Sequence, residues 1–175
     1  MNRAWARSVD RTTRQVTERG SGMELDIVDR WVSALRYTES MHVNDVSRAM
    51  GVAIIGAERV SCQLVCPPPA GTARFEFVLD LETKDRVIFV EFMLAEPLPL
   101  SDLEARFGIG EVTVPSPHQV NSTIAFEPPS PERALRACSV LADLEYEWPR
   151  VGPDRVRSIV LYPQPREAEA DSAQT

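Results

Sequence analysis

Glu39, His42 and Asp45 follow one another at intervals of three. On a helical turn that spacing would set two carboxylates and an imidazole on one face as ligands for a divalent metal. Glu39, however, lies past the end of the apolar periodicity that precedes it, and the segment between it and the next helix reads as a loop. His42 therefore reads as a solvated loop histidine and not as a metal ligand. His118, the other of the two histidines, stands between Pro117 and Gln119 in a proline-marked loop, and does acid–base work only where folding delivers a carboxylate to it. Nucleophile motifs, a phosphate-binding loop, a dinucleotide fingerprint and zinc spacing are all missing. Of the three cysteines, Cys62 and Cys66 lie four apart on what reads as one strand, so their Cα atoms are about 13 Å apart, too far for a disulfide. No residue is nominated as catalytic, and no metal or other cofactor is expected.

The residues that stand out are acids on one strand pair. A two-residue turn at Thr83-Lys84, or a four-residue loop in the same register, sets Glu82 opposite Asp85, then Leu81 opposite Arg86, Leu79 opposite Ile88, Phe77 opposite Val90 and Phe75 opposite Phe92. That face is apolar almost throughout, and a slip of one residue would scatter it. The opposite face then carries Glu76 with Glu91, Val78 with Phe89, Asp80 with Val87, and Glu82 with Asp85. Like charges directly across a ladder cost roughly 0.2–1 kcal/mol a pair. A face that mixes acids with apolar residues suits a basic, partly apolar protein partner, and the eight residues Glu76, Val78, Asp80, Glu82, Asp85, Val87, Phe89 and Glu91 form the expected binding surface. The bland alternative is a solvated sheet face with ordinary exposed apolar residues.

Several elements must position that hairpin. Ile27, Val28, Trp31, Val32 and Leu35 recur at helical spacing and predict a helix over 24–38. A second helix is expected over 43–50, with Asn44 as N-cap and Gly51 as its stop. The period then changes to two, predicting strands over 58–66, 73–82 and 86–93, the first of them ended by Pro67, Pro68 and Pro69.

Residues 101–163 read as a repeat of 44–93. Asn44 to Val52 aligns with Ser101 to Ile109, Phe75 to Glu82 aligns without gaps with Cys138 to Glu145, and Asp85-Arg86-Val87 matches Asp154-Arg155-Val156. The repeat argues for a strand from about residue 137, where Ser130-Pro131-Glu132 alone would suggest a helix start. The expected fold class is α+β: helices packed on an antiparallel β-meander, as a tandem duplication of a helix–strand–strand–strand unit. The units are placed at 23–96 and 97–163, between a disordered basic leader at 1–22 and a disordered acidic tail at 164–175.

Bulk composition narrows the function. With 43% hydrophobic and 26% charged residues, the chain can bury a core. The net charge is −7, yet residues 1–22 hold Arg3, Arg7, Arg11, Arg14 and Arg19 against Asp10 and Glu18, so the remainder stands at −10. An acidic body repels phosphate backbones, which excludes nucleic acid as a partner. No run of about 18 apolar residues predicts a membrane span, and residues 1–22 lack a secretory h-region, so no membrane partner and a cytoplasmic location are expected. The oligomeric state is not legible. The functional expectation is a non-enzymatic protein-binding domain of inhibitor, immunity or assembly-adaptor type. The alternative is a small-ligand-binding protein or hydrolytic enzyme with a pocket between the two units near His118.

Overall fold

A computed structural model describes residues 25–113, 122–145 and 154–165. The apolar spacing from Ile27 to Leu35 winds into helix α1 (residues 25–37), and α2 (Val43–Met50) follows after a short link. Four strands come next: β1 (Glu58–Val60), β2 (Gln63–Cys66), β3 (Thr72–Leu79) and β4 (Val87–Pro99). Helix α3 (Leu100–Phe107) leads into β5 (Glu111–Thr113), β6 (Thr123–Phe126), β7 (Arg136–Leu144) and β8 (Arg155–Pro165). The eight strands form one sheet in the order β1-β2-β3-β4-β8-β7-β6-β5, and every neighbouring pair is antiparallel. The fold is α+β with strands dominating. Among the described residues no helix is long and apolar enough to cross a membrane.

Each half is a short helix followed by a four-stranded meander, and the two meanders meet where β4 pairs with β8. Backbone contacts correspond as well. Leu79 N–H donates to the Cys62 carbonyl at 2.7 Å, and Leu144 N–H to that of Ser122 at 3.1 Å. Val43 N–H donates to the Asp85 carbonyl at 2.7 Å, and Leu100 N–H to that of Asp154 at 2.9 Å. The ladder is irregular at one matching place in each half, between Val78 and Leu79 and between Asp143 and Leu144. These contacts put Leu79 opposite Leu144 in the comparison of the halves, two residues away from the gapless alignment. A two-residue shift preserves strand alternation, which is why the sequence pattern tolerates either choice. Asp85-Arg86-Val87 and Asp154-Arg155-Val156 do occupy matching places.

Three local expectations are corrected. The strand expected over 58–66 is two strands, because the chain reverses at Ser61-Cys62, with Ser61 in the left-handed region (φ 56°). Each half thus has four strands instead of three. The α2 N-cap is His42, not Asn44: His42 has extended backbone, and Asn44 N–H donates to its Nδ1 at 3.2 Å. The expected strand 73–82 ends at Leu79, while β4 runs on to Pro99 to reach α3. Gly51 closes α2 as expected, at φ 69°, where a side chain would be strained. Residues 136–144 are strand β7.

All three helices cover one face of the sheet. Val28, Trp31 and Leu35 of α1, Val46 and Met50 of α2 and Leu103 of α3 join Phe75, Phe77, Val90, Phe92, Val140, Ile159 and Leu161 in a single core. Trp31 is fully buried at its centre. Its ring meets Phe75 edge-on at 5.1 Å and Phe92 at 4.9 Å, and its Nε1–H donates to the Met50 carbonyl at the end of α2, 3.0 Å away. From the far half, Arg136 of β7 donates to the carbonyls of Thr38 and Glu39, closing the C-terminal end of α1.

Replacing Trp31 by Ala should lower the unfolding free energy by about 3–5 kcal/mol, read as a shifted urea midpoint, because a cavity opens and the Met50 carbonyl loses its donor. Ile55→Ala, at a side chain 89% exposed, should stay within about 0.5 kcal/mol of the parent. A Trp31→Ala loss below about 1 kcal/mol would contradict this packing.

Candidate functional site

With the helices on one face, the alternate residues of each strand form the other. Their pairing makes three rows across the sheet. The central row runs Glu58, Val65, Glu76, Glu91, Val160, Leu141, Ala125, Glu111, one residue from each of the eight strands. Beside it lie Arg74, Met93, Ser158, Asp143, Thr123 and Thr113 on one side. On the other side lie Val60, Gln63, Val78 and Phe89, whose ring is 6.4 Å from that of Tyr162 on β8.

Glu76 and Glu91 face each other at the middle of the central row, as the hairpin register requires. Glu76 is only 2% exposed although its strand face carries no helix among the described residues. Gln63 Nε2–H donates to its Oε1 at 3.2 Å, and Arg74 Nη2–H to its Oε2 at 2.7 Å. Glu91 is half-buried, and its carboxyl is held above the usual carboxylate range. Desolvation is the main cause, followed by the charge of Glu76 and a hydrogen bond with it; Asp143 adds a smaller push, and Arg74 opposes. The Asp143 carboxylate, in the neighbouring row, accepts the Thr123 hydroxyl at 2.5 Å. The arrangement is a pair of facing glutamates with a third acid nearby and one arginine in partial compensation, flanked by Val78, Phe89 and Tyr162, the last 39% exposed. Such a group attracts cations.

Four of the other six expected surface residues lie elsewhere. Val78 and Phe89 pair on this face, but Val87 is in the core, 2% exposed. A register shift pairs Leu79 with Val87 and leaves Ile88 as the extra residue of a bulge, which reverses the facing of everything beyond it. Asp80, Glu82 and Asp85 belong to the connecting loop. Asp80 Oδ1 accepts the backbone N–H groups of Glu82 and Thr83, both at 2.9 Å, and these bonds hold its carboxyl below the usual range. Asp85 lies 3.6 Å from His42 Nε2, and Glu82 is exposed. The tight turn at Thr83-Lys84 is replaced by this wider loop, with Lys84 at φ 58°.

Glu39, His42 and Asp45 do not converge: His42 caps α2 and faces Asp85, while Asp45 takes Arg48 at 3.4 Å. Among the described residues no three His, Cys, Asp or Glu side chains gather as a metal set. His118 lies outside the described residues. The residues that sequence reasoning passes over are Arg74, Gln63, Asp143, Thr123 and Tyr162. Their signal is present in part, since Ser158, Val160 and Tyr162 alternate with the apolar Ile159 and Leu161.

Burial keeps two thiols neutral, raising Cys66 to about 11 and Cys138 to about 12. With a thiol reagent at pH 8 under native conditions, the half-buried Cys62 should react first, and Cys66 and Cys138 only on unfolding. Equal labelling of all three would contradict the burial.

No family model matches the chain, and neither a curated protein nor a solved structure is significantly similar to it.

Proposed function

We propose that the chain is a non-enzymatic binding protein whose outer sheet face receives a basic, partly apolar segment of a protein partner. The observation that carries this is the Glu76–Glu91 pair: two carboxyl groups opposite each other on a face that no described helix covers. A guanidinium or ammonium set between Glu76, Glu91 and Asp143 would replace mutual repulsion with charge-assisted hydrogen bonds, and an arginine fork suits paired carboxylates best. Val78, Phe89 and Tyr162 supply the apolar flank. The net charge of −7 would steer a basic partner toward the molecule and disfavour nucleic acid. The rival, a ligand pocket between the halves near His118, draws no support from the seam: β4 and β8 hydrogen-bond directly there, and Val90, Phe92, Ile159 and Leu161 are buried along it.

Capture from the native host's lysate should yield a basic partner with the parent protein and lose it with Glu91→Lys. Glu82→Lys, the same charge change in the exposed loop, should retain it. A partner held equally by both variants would contradict this surface.

The acid pair also predicts a pH effect. The folded-state carboxyl of Glu91 sits above its unfolded value of 4.5, so its contribution to stability is full below that value. It is lost as pH rises through the raised folded value. Glu91→Gln mimics the protonated form and should raise the thermal midpoint at neutral pH by about 1–4 °C, from a like-charge cost of about 0.2–1 kcal/mol. The gain should vanish near pH 4. A lower midpoint at neutral pH would contradict the pairing.

A further inference from the structure

Away from the sheet, α1, α3 and Pro131 line a groove of about 420 Å³. Its polar lining includes Arg30, Ser33, Arg36 and Tyr37 from α1 and Arg106 from α3, with Phe107 among its apolar surfaces. Arg36 is the unusual member. It is only 8% exposed, its Nη2–H donates to the Pro128 carbonyl at 2.5 Å, and its Nε–H has no acceptor. Asp29, the carboxylate among the described lining residues, is taken by Arg106. The groove therefore holds three guanidinium groups against one carboxylate, in a chain whose net charge is −7.

Among the described residues Arg36 makes no ion pair, and a buried guanidinium that is neither ion-paired nor fully hydrogen-bonded is held at a cost in stability. A positive charge kept under that penalty, at the wall of a groove the size of a small-molecule site, is chemically suited to an anion. We infer that the groove binds a small organic oxyanion, a carboxylate or phosphate ester with an aromatic body. The oxyanion is received by Arg36 and Arg30, assisted by the hydroxyls of Ser33 and Tyr37, and the ring lies on Phe107. The exposed faces of Arg30 and Tyr37 leave the groove open to such a ligand. This site is separate from the acidic sheet face and does not depend on it.

Titration of the full chain with benzoate, phenyl phosphate and inorganic phosphate at low salt, followed by amide chemical shifts, tests the site. At least one of the two aromatic anions should saturate with a dissociation constant on the order of 1 mM or tighter, a value fitting about ten non-hydrogen atoms. The shifts should map to α1 and α3. Arg36→Gln should weaken that binding at least tenfold. Because Arg36 is buried and its replacement can unfold the protein, Arg30→Gln, at an exposed position, is the second variant and should weaken binding about threefold or more. Glu91→Gln should change nothing. Three outcomes would each overturn the inference: no saturation by either aromatic anion up to about 10 mM, binding unaffected by Arg30→Gln, or inorganic phosphate binding as tightly as phenyl phosphate.

Discussion

Trp31 stands where α1, α2 and the middle of the sheet converge, and the facing of the sheet is set by its placement. Its ring needs apolar neighbours on every side, and Phe75 and Phe92, cross-strand partners on β3 and β4, provide them edge-on. Its one polar atom needs an acceptor, and the Met50 carbonyl at the end of α2 is a helix-terminal group that needs a donor. Both needs are met only if α1 lies on the Phe75–Phe92 face with the end of α2 beside it. The core then forms on that side, and Glu76 and Glu91, one residue along their strands, are turned to the other.

The electrostatics of the outer face are a consequence of the pleat. Any register that buries Phe75 with Phe92 and Phe77 with Val90 must set Glu76 against Glu91. A one-residue slip would separate the acids at the expense of the core, and burial of side chains worth about 1.5–3 kcal/mol each outweighs a like-charge cost below about 1 kcal/mol. The hydrophobic face decides the register, and the acids accept its geometry. Gln63 and Arg74 satisfy Glu76, while desolvation and the facing Glu76 raise the Glu91 carboxyl above its ordinary range.

This hierarchy explains how much of the molecule is legible in its sequence. The α+β class, α1, the register from Phe75 to Phe92 and the strand at β7 follow from periodicity, because in each case apolar side chains repeat at the spacing of the element that buries them. Val87 is misplaced by the pattern because a bulge at Ile88 leaves no mark in an apolar run: Val87, Ile88, Phe89 and Val90 are interchangeable to a pattern but not to a ladder. The reversal at Ser61-Cys62 is hidden for a similar reason, since Val60, Cys62, Leu64 and Cys66 keep a period of two straight through it. Asp143 and Tyr162 reach the acidic face through the β4–β8 pairing, a contact between distant parts of the chain that no local pattern encodes. Arg36 reads as part of a solvated helix face on residue type alone. Its burial arises from the approach of Pro128 and Leu135 in the second half, which accept from and donate to it.

The central claim is that core packing forces two carboxyl groups together on the face opposite the helices. Carboxyl carbon chemical shifts of Glu76 and Glu91 followed from pH 2 to 9 test it most directly. The account predicts that Glu91 titrates above the ordinary glutamate range and that Glu76→Gln returns it toward that range. Ordinary titration of Glu91 in the parent protein, or a raised value unchanged by Glu76→Gln, would contradict it.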